Sequence, residues 1–277
     1  NIRRKYGDDW ETEYKDVTHS RLRSWGINTI GNWSTHHLYR LRRTPYVATV
    51  HFRSRPLEGS EGYWGKFPDV FEPGFEDAVQ KAVAAKSEER SDPWCIGFFV
   101  DNELAWGSDT SLAEAALASP ADQPAKQAFV NDLRKRYGTT EALNRRWGTN
   151  CADWSALLER RKIPDIERAR PDLERFYTRT AETYFRKVRD AVKAAAPNQL
   201  YLGCRFAWVN DRAVRAAMKY CDVVSFNKYT YSVADLSLPD EGDRPVIIGE
   251  FHFGALDRGM FHTGLRAADS QEHRAQL

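Results

Sequence analysis

The sequence predicts an α/β fold, a (β/α)8 barrel present in part as a single domain over residues 1–277. Three observations carry this. Short apolar runs alternate with helical patterns, the mark of βα units and a parallel sheet. The runs are almost continuously β-branched and aromatic, as strands buried on both faces are. No glycine-rich phosphate turn follows any run, which argues against the alternative, an open doubly wound sheet. Six runs are two short of a closed barrel. Residues 1–24 read as the loop and helix that follow a first strand, and residues 263–277 as the helix before an eighth. The six runs then stand as barrel strands two to seven.

In chain order, an amphipathic helix over about 13–24 precedes the first run, Ile27 to Asn32. The second run is Tyr46 to Phe52, and a helix over 73–90 follows, with Phe75, Val79 and Val83 on one face. The third run spans Trp94 to Asp101. A stretch of about 100 residues then separates it from the fourth, Leu200 to Arg205, far more than a βα connection needs. Helical patterns fill that stretch, over 121–137 and over 140–147 between Gly138 and Gly148, so it predicts a helical insertion over about 104–170 after barrel strand four. A long helix over 171–196 carries Leu173, Phe176, Tyr184 and Val188 as one stripe. A helix over 210–220 with an Asn-Asp start precedes the fifth run, Asp222 to Lys228, and the sixth is Val246 to Phe251.

Composition sets the outer limits. Hydrophobic residues make up 42% and charged residues 29%, as in a water-soluble globular chain. A formal charge of +2 is too small to argue for nucleic acid or an anionic membrane surface. No apolar run approaches the roughly 20 residues that cross a bilayer. Cys95, Cys151, Cys204 and Cys221 show no paired spacing and read as buried free thiols. His36, His37 and His262 lack partners at ligand spacing, so no metal or other cofactor is expected. The chain opens on charged residues rather than a signal peptide.

The chemistry gathers where the runs stop, which is where a barrel of this kind carries its site. Those ends supply Asn32 and Trp33, His51, Asn102 and Glu103, Arg205, Asn227 with Tyr229, and Glu250 with His252. A carboxylate at the tip of an apolar strand is unfavourable unless something uses it. Glu103 and Glu250 occupy two such tips, three runs apart, and two carboxylates facing one site are what a glycosidase needs. Trp106, Trp208 and Trp33 are candidates for stacking on sugar rings, with core packing as the other reading.

An Asn-Glu pair ending one strand and a Glu ending another three strands later resembles clan A of the glycoside hydrolases. The stretches KFPDVFEPGFEDAV (66–79), IGFFVDNELAWG (96–107), RYGTTEALNRRWGT (136–149), CDVVSFNKY (221–229) and GEFHFGALDRGMFHTG (249–264) resemble glycoside hydrolase family 50, the β-agarases. The family 42 β-galactosidases share the Tyr-Gly, Leu-Asn and Trp-Gly segment and are the nearest alternative. The resemblance runs from about Trp25 to Gly264. The pair Asn102-Glu103 marks only the clan; the stretch around Glu250 is the family-specific part.

The resemblance implies a retaining, double-displacement hydrolase. Glu103 is then the general acid/base and Glu250 the nucleophile. Asn102 binds the sugar 2-hydroxyl, and Tyr229, or Tyr231 in its place, holds the nucleophile. His51, His252, Asn32 and Arg205 would line the site and bind hydroxyls. Asp101 is expected to point away from Glu103, into a salt bridge facing the helices. The implied partner is a galactan polysaccharide or oligosaccharide, neutral and agar-like, with no nucleic acid and no membrane. Secretion or a periplasmic location follows only from that substrate. A non-catalytic sugar-binding barrel is the rival from another class, and the presence of both glutamates speaks against it.

Overall fold

The computed structural model describes residues 1–277. The chain runs α1 (Ile2–Tyr6), α2 (Trp10–Ser24), α3 (His36–Tyr39), β1 (Tyr46–Val50), α4 (Phe75–Ala84) and β2 (Cys95–Val100). Five helices follow: α5 (Ser111–Ala118), α6 (Pro124–Tyr137), α7 (Thr140–Trp147), α8 (Trp154–Glu159) and α9 (Ile166–Ala195). The rest is β3 (Leu200–Tyr201), α10 (Asp211–Tyr220), β4 (Val224–Asn227), β5 (Val246–Glu250) and α11 (Gln271–Gln276).

Every strand pairing is parallel and follows chain order, β1-β2-β3 in one sheet and β4-β5 in another. Single parallel bridges extend this order, Ile30 to Tyr46 beside β1 and Phe206 to Phe226 beside β4. Backbone bonds from Leu202 to Phe98 and from Val100 to Gly203 carry the β2–β3 ladder past Tyr201. The six expected segments therefore lie side by side, but unequally. The first is a one-residue bridge at Ile30, and the fourth is a strand of two residues.

The helices obey local rules at their ends. Thr139 caps α7 by accepting from the Ala142 N–H, and Gly148 closes it in the left-handed conformation. Asn210 caps α10 through the Arg212 and Ala213 N–H groups. Asp165 caps α9 at the Arg168 N–H, so that helix starts five residues before the expected Pro171, which lies inside it. A proline there removes one intrahelical donor, yet the cap behind it and the apolar stripe ahead hold the turn. In contrast, α4 stops at Ala84, and a separate 3-10 turn takes up Glu89–Ser91. The helix expected over 263–277 shrinks to the six residues of α11.

Two large hydrophobic cores result, with a small third cluster of Val47, Phe99 and Leu202 among the strands. The larger lies between the strands and α4, α9 and α10, with Phe75, Val79, Phe98, Tyr184, Phe185 and Val214 buried in it. The smaller holds α5 to α8 together through Phe129, Leu133, Leu143, Trp147 and Leu157. The start of α9 belongs to this smaller core through Ala169, Leu173 and Phe176, and its later turns belong to the larger one. One 30-residue helix thus contributes to both cores and joins α5 to α8 to the strands. All four cysteines are buried and free. No helix is long and apolar enough to cross a membrane.

Candidate active site

The end of β2 is bent out of regular strand geometry. Asp101 and Glu103 have φ of 61° and 51°, in the left-handed region where a side chain is strained. Backbone bonds enforce the bend: the Asp101 N–H donates to Val50 O at 2.9 Å, and the Glu103 N–H is shared by the Cys204 and Arg205 carbonyls. The bend corrects the expectation for Asp101, which makes no salt bridge. Its carboxylate is buried and accepts from the Tyr184 hydroxyl at 2.7 Å. Burial with no cation beside it pushes the Asp101 carboxyl up to about 7.

Glu103 is 9% exposed. Its Oε1 accepts from the Asn227 amide nitrogen at 2.7 Å, and its Oε2 accepts from the Trp64 indole at 2.7 Å. Asn227, ending β4, also donates to Asn102 Oδ1 at 3.1 Å and so holds the Asn-Glu pair as one unit.

Glu250 ends β5 and takes three neighbours. The Tyr229 hydroxyl donates to Oε2 at 2.7 Å and the Trp33 indole to Oε1 at 2.8 Å. The Arg205 guanidinium lies 3.6 Å from the same Oε1. Burial, the hydrogen bond to Glu250 and that carboxylate's charge push the Tyr229 hydroxyl far above its usual range, so it stays a donor. Tyr231 instead donates to the Ala267 carbonyl and takes no part.

Arg205 is fully buried, which changes its expected role. It does not face the open cleft; it backs Glu250 from beneath. Its guanidinium lies 4.6 Å from the Trp33 ring centre and 5.1 Å from that of Phe99. With the Asn32 amide turned so that its oxygen faces this cation, the oxygen accepts from Arg205 Nη2 at 2.7 Å and the amide nitrogen donates to Thr49 at 2.6 Å. Asn32 is therefore joined to the cation by its side chain rather than free for substrate. Gly249 makes the approach possible: a Cβ there would sit 2.6 Å from Arg205 Cδ.

These groups open onto a cleft of about 1140 Å3 that both glutamates line, together with Trp33, His51, Tyr63, Trp64, Asn102, Trp208 and Tyr229. The His51 ring stacks on Trp33 with centroids 6.0 Å apart, and burial, then Arg205, lowers its affinity for a proton. Trp208 stands exposed at the rim, as a stacking residue must. Trp106 does not: it is wholly buried among Phe67, Tyr184, Phe185 and Phe206, and core packing is its role. His252 lines an adjoining pocket beside Glu250 rather than the main cleft. No three His, Cys, Asp or Glu side chains converge as metal ligands.

Sequence reading missed three residues here. Asn227 was visible as a strand end but had no assigned task. Tyr63 and Trp64 lie in the long loop after β1, where only an aromatic pair set between Gly62 and Gly65 hinted at a rim.

Known proteins bear on the site as follows. Residues 72–253 match the family model described as Beta-galactosidase, of glycoside hydrolase family 42. Beta-agarase B of Vibrio sp. (strain JT0107) is 36% identical in a match covering 100% of this chain and 31% of that protein. Beta-agarase A of the same organism is 37% identical, covering 96% and 30%. Among solved structures, an exo-beta-agarase superposes with a TM-score of 0.92 at 35% identity, over 99% of this chain and 40% of its own. The agarase AgWH50C superposes with a TM-score of 0.88 at 38% identity, over 99% and 42%. The chain thus spans a little under a third of the curated relatives' length.

Proposed function

The chain belongs to the clan A glycoside hydrolases, matching the family 42 model and most like the family 50 β-agarases, and from that premise we propose that it cleaves β-galactosidic links in an agar-type galactan by retaining double displacement. The observation that carries the reading is the pair of strand-end glutamates in one cleft, Glu103 held by neutral donors and Glu250 by a buried cation.

Glu250, ionised and steadied by Arg205, Tyr229 and Trp33, attacks the anomeric carbon. Glu103 donates its proton to the departing glycosidic oxygen. In the second step Glu103 takes a proton from water, which attacks the anomeric carbon and releases Glu250 as carboxylate. In this reading Asn102, which lines the cleft beside Glu103, binds the sugar 2-hydroxyl. Retention requires carboxyl groups about 5–5.5 Å apart. The strands fit the arc of a (β/α)8 barrel, two to seven, whose strand ends hold the site. A substrate of polysaccharide size points to action outside the cytoplasm.

Four exposed aromatic residues lining the cleft, Trp33, Tyr63, Trp64 and Trp208, support a chain-like substrate. The match to the Beta-galactosidase model favours a second reading, hydrolysis of short galactosides. The full-length protein incubated with agarose and with an aryl β-galactoside separates them. Agarose cleavage, with the β-anomer appearing first by NMR, is the expected result. Turnover of the aryl galactoside alone would favour the second reading, and α-anomer first would overturn the retaining mechanism.

A further inference from the structure

We infer that a second pocket, beside Glu103, receives the part of the galactan that leaves and selects it for being uncharged, with Glu61 and Glu114 repelling anionic substituents. The inference rests on the proposed acid/base role of Glu103 in galactan cleavage.

The pocket has a volume of about 640 Å3 and meets the main cleft at three shared residues, Glu103, Tyr63 and Trp208. Glu250 does not line it; Glu250 lines a different side pocket, which Glu103 does not. In a retaining hydrolase the acid protonates the oxygen that departs, and the nucleophile holds the sugar that stays. A chain running from Glu250 past Glu103 therefore puts its departing sugars into this pocket. Tyr63 and Trp208, both exposed, stand at the junction with ring centroids 6.0 Å apart and offer apolar faces to a sugar ring.

The loop after β1 forms one wall and is fastened to the insertion. The Gly59 N–H donates to Ser119 Oγ at 2.9 Å, and the Glu58 N–H to Gln123 Oε1 at 3.2 Å. A Cβ on Gly59 would lie 2.2 Å from the Ala115 carbonyl oxygen, so glycine permits the approach. Ala105, Ala115 and Ala118 line the space with small side chains.

The charges here have one sign. Glu61, Glu103 and Glu114 line the pocket, and no lysine, arginine or histidine does. The Thr110 hydroxyl steadies Glu114 by donating to its Oε1 at 2.6 Å. The cations of the main cleft, Lys66, Lys228 and Arg266, lie outside this pocket, whereas the one beside Glu250 is lined by Arg258 and Arg274. Carboxylates accept hydrogen bonds from sugar hydroxyls but repel a sulfate ester or another carboxylate. Discrimination by charge thus falls on the leaving side of the bond.

Two labels on the reducing end of the shortest agar-type oligosaccharide that the full-length protein cleaves test this: anthranilamide, uncharged, and anthranilate, similar in size but anionic. At low salt kcat/KM should be about tenfold lower with the anionic label. The gap should narrow in about 1 M sodium chloride, which screens the carboxylates. Glu61→Gln with Glu114→Gln should close it by raising the rate on the anionic label, and Glu61→Gln alone, at an exposed position, should close part of it. Equal kcat/KM for the two labels, or a gap that either high salt or the double variant leaves unchanged, overturns the inference alone. An absence of cleavage on every agar-type oligosaccharide overturns the galactan reading and this inference with it.

Discussion

Glu103 and Glu250 sit in one cleft at the tips of parallel strands, and each takes an indole N–H and one further donor. They differ in what stands behind them. Glu250 is backed by a buried guanidinium wedged under Trp33; Glu103 has no cation within ion-pair distance. Under the proposed mechanism, the carboxylate that attacks is placed against a fixed opposite charge, and the group that exchanges a proton is left with neutral donors. The same strand-end position thus meets two different surroundings, and the neighbours, not the strands, make the difference.

Removing either carboxylate should have the largest effect. Glu250→Ala is expected to lower kcat on agar-type substrates by about 10^4-fold or more, with added azide restoring part of the rate as a glycosyl azide. Glu103→Ala should be as damaging on those substrates but should spare an activated aryl galactoside. Equal loss on both substrates in the two variants would erase the distinction between them.

Replacing the cation comes next. Arg205→Met keeps most of the volume and removes the charge behind Glu250, and kcat should fall by about 10^2-fold. A fall no greater than twofold would show that Tyr229 and Trp33 suffice. Gly249→Ala tests the same contact through packing. The added methyl meets the arginine stem, and urea unfolding should show a loss of about 1–3 kcal/mol.

The smallest effect concerns stability. The Asp101 carboxyl is raised to about 7 by burial, so its contribution is fully present below about pH 4 and is lost as pH climbs through 7. Asp101→Asn keeps an acceptor for Tyr184 without a charge. The variant should lose less stability than the parent between pH 5 and pH 8 in urea titrations. Parallel curves would place the ionisation elsewhere.

Much of the scaffold was legible because its signals are local. Continuous apolar runs marked β1, β2, β4 and β5, and the Gly148 stop and the Asn210 cap sat where the sequence pointed. The failures share a cause: sequence gives position along the chain but not depth. Arg205 and Trp106 follow strands as surface residues would, and both are fully buried: α9 and the loop after β1 close over Trp106, while Arg205 is packed against Phe99, Trp33 and Glu250. Trp64 lies 39 residues from Glu103, in a loop with no periodicity to betray where it folds. Pro171 looked like a helix start because its own ring says so, while the true start depended on Asp165.

The left-handed backbone at the site has a consequence for heat tolerance. Trp33, Asp101, Glu103 and Arg205 have φ between 51° and 62°. Each such residue lies on the order of 1 kcal/mol above a relaxed one. Glycine would relieve every position, yet three of those side chains touch Glu250 or are Glu103, and the fourth receives the Tyr184 hydroxyl. Selection for a hotter environment therefore finds no cheap gain at the mouth of the cleft. It has to work through helix caps, loops and the insertion core, leaving a site that stays conformationally tense inside an increasingly durable frame.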